Sequence, residues 1–433
     1  MKPESDKLEF DRLHIWHPFT SLKSDPPIHV VSGEGAYLVT SEGTKIFDAV
    51  SSWWVNLHGH GNPVIAKAIY DQALLLEHVI FAGFTHDPAI TLSRNLLSIL
   101  PENQTRVFFS DNGSTAVEVA LKMAMQYWFN RGVERNRIIA LDGAYHGDTF
   151  GAMSVGERGA FTKPFNEYLF NVDFVPVPHE DNFEKVRDEF RSLCERNDTA
   201  AFIYEPLVQG AAGMVMYEPR FLNELLSIAN AYNVICIADE VFTGFGRTGR
   251  LFASDHMTIK PDIMAVSKGI TGGTLPLGVT TCSEKITEAF DSADASKTFF
   301  HGHSYTANPI ACAAANASFH ILMSEACEQS IQRISQRQRE FSEKISSHPR
   351  VKEARCTGTI MAIEIHTPSQ TSYFNDLRKH IYAYFLNRNI LLRPLGNIIY
   401  MLPPYVSSDD DLRSSYAAIE SFLNDLPTEQ SRS

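Results

Sequence analysis

Apolar residues recur along this chain in two rhythms. Short, almost continuous apolar runs alternate with longer stretches whose apolar positions fall three or four residues apart. The first rhythm suits strands buried on both faces and the second suits helices covering them, so the pair predicts a helix-covered, mainly parallel sheet. RVFFS, RIIAL, FNVDFVPVP, AAFIYEP, VICIAD and IMAVS read as its strands, and STAVEVALKMAMQYWF as a long helix after the first of them. The last three strands each run into a polar end. Ahead of them, Ala66, Ile69, Ala73, Leu76 and Val79 predict a helix over residues 63–83. The segment before Asn62 mixes strand-like runs, GAYLVT and KIFDAV, with turns.

Beyond Asn308 the pattern turns helical twice, in ANPIACAAANASFHILMS and QSIQRISQRQREFSEKI. It then becomes strand-like in GTIMAIEI and NILLRPLGNIIYMLPP, before a last helix ending near Leu426 and a polar tail, 428–433, expected to fray. The expected architecture is α/β: a large domain over 63–320 with a mainly parallel sheet, and a smaller α+β domain formed by 1–62 and 321–433 together.

Composition narrows the function. A chain of 433 residues is long enough for two or three domains. The formal charge is −13 and no Lys/Arg cluster forms a phosphate-tracking stripe, which argues against a nucleic-acid partner. Six scattered cysteines without a C-x-x-C pair suit neither a zinc site nor a disulfide scaffold, so no metal is expected, and reduced thiols of a cytoplasmic enzyme are. MKPESDKLEF lacks the apolar core of a secretory signal, and no apolar stretch approaches the roughly 18 residues of a membrane span.

Chemistry gathers where the strands end. In open α/β sheets, sites form beyond the carboxyl ends of the strands. Asp239 ends VICIAD, and Lys268 follows IMAVS 29 residues later, between apolar residues and glycines. Burial there would lower its pKa. A Schiff-base amine paired with a carboxylate for a pyridinium nitrogen is the protein's share of pyridoxal phosphate (PLP) chemistry. Gly113 and Ser114 open the long helix, where free N–H groups and the helix dipole suit a phosphate. Tyr145 and His146 follow RIIAL, and Glu205 follows AAFIY. Trp53 and Trp54 offer an apolar wall, and Arg393, set in an apolar segment, calls for an anionic partner. Each has a plainer reading on its own: an N-cap for Ser114, a loop for Tyr145 and His146, a capping carboxylate for Glu205, a cap or ion pair for Asp239, a surface amine for Lys268, a packed corner for the tryptophans. GFGRTG (244–249) matches a dinucleotide fingerprint, yet it neither follows its strand directly nor opens a helical pattern.

Taken in order, NGSTAVEVALKMA, YHGDTFGAMS, ADEVFTGFGRTG, SKGITGG and HGHSYTANPIACAAA resemble the class III PLP-dependent aminotransferases over nearly the whole chain. The resemblance implies the fold type I of PLP-dependent transferases and a homodimer with shared active sites. It implies that Lys268 holds PLP and shuttles a proton, and that Asp239 keeps the pyridine nitrogen protonated. Tyr145 and Val241 would cover the two ring faces, with His146 and Glu205 among the cofactor's neighbours. Gly113 and Ser114 would bind the phosphate, with His303 and Ser304 reaching it from the neighbouring subunit. Phe19, Trp53, Trp54, Tyr145, Gly302 and Arg393 would shape the substrate pocket, Arg393 pairing with a carboxylate.

Within the family, HIWHPF, SSWW, HGDTFGAMS and RPLGNIIYMLPPY look most like the members that aminate 8-amino-7-oxononanoate with S-adenosylmethionine in biotin synthesis. The family commonly has a tyrosine where this chain has Phe19, so one hydroxyl is missing. The alternatives are a lysine-dependent, ω-amino acid or diamine aminotransferase, and, outside catalysis, a PLP-binding protein; the presence of both Lys268 and Asp239 argues against the last.

Overall fold

The computed structural model describes residues 4–368, 371 and 375–426. A seven-stranded sheet lies at its centre, in the order Gln104–Ser110, Gly278–Ser283, Ile263–Val266, Ile235–Asp239, Thr199–Tyr204, Arg137–Leu141, Asp173–Val175. The last five run parallel to one another. Only Gly278–Ser283, a strand absent from the expectations above, runs against its neighbours, pairing antiparallel on both sides. The sheet is therefore mixed but mainly parallel, and all six like-directed strands deliver their carboxyl ends to one edge.

Burial explains the apolar runs. Every residue of Thr199–Tyr204, Ile235–Asp239 and Ile263–Val266 is buried, because helices cover both faces. The long helix Gly113–Asn130 packs one face with Ala116, Val117, Val119, Ala120 and Ala124, small or branched side chains that let it sit close to the strands. On the other face, Leu222, Leu225 and Leu226 of the helix Pro219–Ala231 join Phe190, Phe202 and Tyr204 in the main core.

The helix expected over 63–83 stops at Leu75, since Leu76 takes an extended backbone (φ −164°, ψ 109°). A separate helix, Asp87–Ile99, follows, capped by the His86 ring, which accepts from the Ala89 N–H. Both helices pack against the helix Pro309–Leu322. Residues 428–433 lie outside the described residues.

The two ends of the chain meet in a smaller sheet. Val30–Glu34, Tyr37–Thr40 and Lys45–Asp48 form an antiparallel meander, and Ile390–Leu391 joins it in parallel, with Asp48 opposite Leu391. Val351–Thr357, Ile360–Ile365 and Ile398–Met401 make a further three-stranded antiparallel sheet. NILLRPLGNIIYMLPP thus serves two sheets, and Arg393 lies on the link between them. No helix of the described residues is long and apolar enough to cross a membrane.

Candidate active site

The edge at which the parallel strands end opens into a cavity of about 460 Å³. Nine of the residues expected at the site line it: Trp54, Gly113, Ser114, Tyr145, His146, Glu205, Asp239, Val241 and Lys268. They come from the ends of five different strands and from the turn beyond Asp48, so sequence separation gives way to spatial convergence.

At the floor, Asp239 is almost fully buried and bound on both oxygens. Its Oδ2 lies 2.7 Å from His146 Nδ1, and its Oδ1 accepts the Val241 N–H at 3.1 Å. The buried His146 Nε2 has no hydrogen-bond partner among the described residues. With Nδ1 carrying the proton, His146 donates to Asp239 and fixes the direction of its carboxylate. Glu205, also buried, accepts the N–H groups of Tyr145 and Gly210, one on each oxygen (2.9 and 3.0 Å). Burial pushes its carboxyl up to about 7; His146 opposes this and the Asp239 charge adds to it.

Lys268 opens a single turn of 3-10 helix in a left-handed conformation, φ 42°, which is costly for a side-chain-bearing residue and is held by the packing around it. Its Nζ lies 4.7 Å from the centre of the Trp54 ring and 5.5 Å from that of Phe242. Burial lowers its pKa to about 8, with Asp239 and Glu205 pulling upward and Arg247 adding to the depression. An amine so placed is a nucleophile near neutral pH. The unfolded chain, whose lysine titrates at 10.5, binds more protons between those two pH values. The cofactor-free protein should therefore gain stability, relative to Lys268→Met, as pH rises from about 8 to about 10. Thermal midpoints of the two proteins checked at both ends of that window should diverge accordingly; a constant difference contradicts the assignment.

At the opposite end of the cavity, Gly113 and Ser114 are the first residues of their helix, whose leading N–H groups have no intrahelical acceptors. Asn112 caps the helix through Thr115, leaving that end directed at the cavity. The loop carrying Tyr145 closes tightly on it. The Asp148 N–H donates to Ser114 Oγ (3.1 Å), and Gly147 (φ 129°) sits where a Cβ would come 2.1 Å from the same oxygen. The cavity lining thus brings together an anion cradle, a carboxylate, an amine, the partly exposed Tyr145 ring and Val241. Those groups fit the phosphate, ring nitrogen, aldehyde and ring faces of PLP.

Sequence reasoning missed Phe242, Asn112, Gly147, Ser267 and the turn 273–277, which also line the cavity. The glycines beside Lys268 and within YHGD were the available signal. Phe19, Trp53 and Arg393 stand outside the lining as a separate group. The Phe19 and Trp53 rings meet edge-on at 5.7 Å, and the Arg393 guanidinium lies 4.2 Å from the Trp53 ring. Gly302 and Ser304 are exposed and His303 between them is partly buried; none of the three lines this cavity within one chain. GFGRTG opens no helix. It buries Arg247, which donates to the carbonyls of Asn56, Leu402 and Pro403.

The "Aminotransferase class-III" family model matches residues 20–423. The chain belongs to this family. Class III aminotransferases depend on PLP, in keeping with the groups around Lys268. Among curated relatives of this aminotransferase, the adenosylmethionine-8-amino-7-oxononanoate aminotransferase of Synechococcus elongatus is 49% identical over 95% of this chain and 99% of its own. That of Geobacter sulfurreducens is 37% identical over 93% and 94%. The solved structure of the equally named enzyme from Methanocaldococcus jannaschii superposes with a TM-score of 0.92 at 34% identity, covering 98% of this chain and 100% of that one. An omega transaminase from Pseudomonas jessenii, solved in complex with PMP, gives 0.91 at 25% identity over 96% and 97%.

Proposed function

We propose that this aminotransferase converts 8-amino-7-oxononanoate to 7,8-diaminononanoate with S-adenosylmethionine as amino donor, as a cytoplasmic enzyme of biotin synthesis. The reading is carried by the 49% identity to the Synechococcus relative across essentially both full lengths. Arg393 supports it, lying on Trp53 and forming no ion pair among the described residues, which leaves its guanidinium for a substrate carboxylate. Six cysteines without a disulfide suit a reducing compartment.

Bound PLP supplies an aldehyde for amines and a ring that takes up electron density. The chain does the rest. Lys268 holds the cofactor through its amine and afterwards carries the proton at the reacting carbon. Asp239, oriented by His146, keeps a hydrogen bond and a negative charge against the ring nitrogen. Gly113 and Ser114 hold the phosphate, and Tyr145 and Val241 confine the ring between them. Because both substrates use the same amine-lined cavity, they must enter in turn, and ping-pong kinetics follow.

The experiment is a donor screen on the purified enzyme, following loss of the bound cofactor's visible absorbance. S-adenosylmethionine should discharge it, and 8-amino-7-oxononanoate should then restore it. Discharge by lysine or diamines alone would favour a different class III activity. Phe19→Tyr should lower the KM for S-adenosylmethionine by up to about tenfold, the worth of one added ordinary hydrogen bond.

The active form is proposed to be a homodimer. Leu74, Leu75, Phe84, Phe300 and Tyr305 are exposed large apolar side chains, Leu75 at 82%, and the His78 and Tyr305 rings meet tilted at 5.4 Å. Such a surface suits burial against a second copy, which would also bring His303 and Ser304 to the partner's phosphate cradle. Light scattering should give twice the 48.5 kDa chain mass; a monomeric mass in the active enzyme rules the dimer out.

A further inference from the structure

SSWW, at 51–54, does not form an ordinary helical turn. Ser51, Ser52 and Trp54 all take positive φ (51°, 61° and 68°), and Trp53, between Ser52 and Trp54, returns to negative φ (−142°, ψ 57°) without being helical. This alternation sends two adjacent indoles to different places. Trp54 turns inward, donates from Nε1 to the Tyr400 hydroxyl (3.1 Å) and lies beside the Lys268 amine. Trp53 turns outward onto Arg393. Nothing in Ser or Trp favours such a backbone, so something must hold it.

Asp48 holds it. The side chain is fully buried. Its Oδ1 accepts the Ser52 N–H (2.8 Å), and its Oδ2 accepts the Ser52 hydroxyl (2.9 Å) and lies 2.9 Å from His60 Nε2. The protons are assigned by the chain of partners behind it. Asn56 Oδ1 accepts the Gly59 N–H, so Asn56 Nδ2 faces His60 Nδ1 as donor (3.1 Å), and His60 must carry its proton on Nε2 and donate to Asp48. His60 in turn packs where Gly33 leaves room: a Cβ there would come 2.6 Å from that of His60. Asp48 is also in register with Leu391, two residues before Arg393.

We propose that Asp48 is a positioning residue that, by clamping Ser52, sets Trp53 against Arg393 and Trp54 against Lys268, and so fixes the span over which an oxo acid's carboxylate and reacting carbon are matched. The inference rests on Arg393 binding the substrate carboxylate. Asp48 touches neither substrate nor cofactor; it acts through the two indoles. Asp48→Asn replaces one acceptor by an NH2 group that confronts donors, and Ser52→Ala removes one donor while keeping the backbone N–H.

The test compares kcat/KM for 8-amino-7-oxononanoate with that for its homologue one methylene shorter between ketone and carboxylate. A single methylene is discriminated by roughly tenfold or more in a well-formed site. In cofactor-loaded Asp48→Asn that ratio should fall at least about fivefold, with a smaller fall in Ser52→Ala, because the two anchors no longer hold one spacing. The near-ultraviolet circular dichroism of the aromatic side chains should change in parallel, and the change should be smaller in a Trp53→Phe background, where only Trp54 is left to report it. An unchanged ratio, whether activity on both acids is kept or lost equally, overturns the proposal; if Asp48→Asn does not fold, an unchanged ratio in Ser52→Ala does so. Should the parent reject 8-amino-7-oxononanoate, the functional reading fails instead, and the same ratio is measured on the oxo acids it accepts.

Discussion

Replacing Lys268 with alanine is expected to lower turnover by about a thousandfold or more, the combined worth of a nucleophilic amine and a positioned proton carrier. Among the described residues no other lysine lines the cavity, so no neighbour can substitute. The cofactor should remain bound, because Gly113, Ser114 and Asp239 are untouched. Borohydride reduction followed by intact-mass measurement separates these effects. The parent should gain the mass of the reduced cofactor on the peptide containing Lys268, whereas Lys268→Ala should release its cofactor on denaturation. Covalent retention in the variant, or turnover within about tenfold of the parent, contradicts the role given to this amine. The depressed pKa sharpens the case. An amine held near 8 by burial is partly deprotonated under physiological conditions, whereas an exposed lysine is almost wholly charged.

Asp239→Asn should cost on the order of a hundred- to a thousandfold in turnover, the scale on which a preorganised charge at a buried site contributes. The amide is nearly isosteric, so its oxygen can still accept from Val241 or His146 and the fold should persist. What disappears is the negative charge beside the ring nitrogen. The expected signature is a large fall in kcat for both substrates, with cofactor content and thermal midpoint close to those of the parent. A fall confined to one substrate, or cofactor loss accounting for all of it, would assign Asp239 to binding. Glu205 sits close by and is also buried, yet it differs in kind. Both of its oxygens accept backbone N–H groups, and burial already raises its pKa to about 7, so it braces the Tyr145 and Gly210 loops.

The parallel part of the sheet was legible because strands covered on both faces must be apolar throughout, and a run such as VICIAD ending in a charge announces its own carboxyl end. The strand Gly278–Ser283 was not. GVTTCS carries three hydroxyl-bearing side chains, and the two threonines are satisfied inside: Thr280 donates to the Ala116 carbonyl and Thr281 to Gln104. Polar residues with internal partners look like surface residues until those partners are placed. The break after Leu75 was hidden because Leu76 and Val79 keep the apolar spacing past the last helical residue, although the Leu76 backbone is extended.

For the site, the residue types and their positions at strand ends were readable, and together with the family pattern they pointed to Lys268, Asp239, Gly113 and Tyr145, which line one cavity. The mutual arrangement was not. That His146 holds Asp239, that Glu205 braces two loops, and that adjacent tryptophans face Lys268 and Arg393 separately all depend on contacts between residues tens to hundreds of positions apart. By itself the sequence determined which chemistry the chain can perform, because nucleophile, charge and helix terminus are properties of residues and their immediate neighbours. Only the tertiary structure decided the distances, the burial that lowers the lysine's pKa and the strained turn at 51–54. Those follow from long-range packing, in which Asp48, Ser52 and Arg393 constrain one another across more than 300 residues of chain.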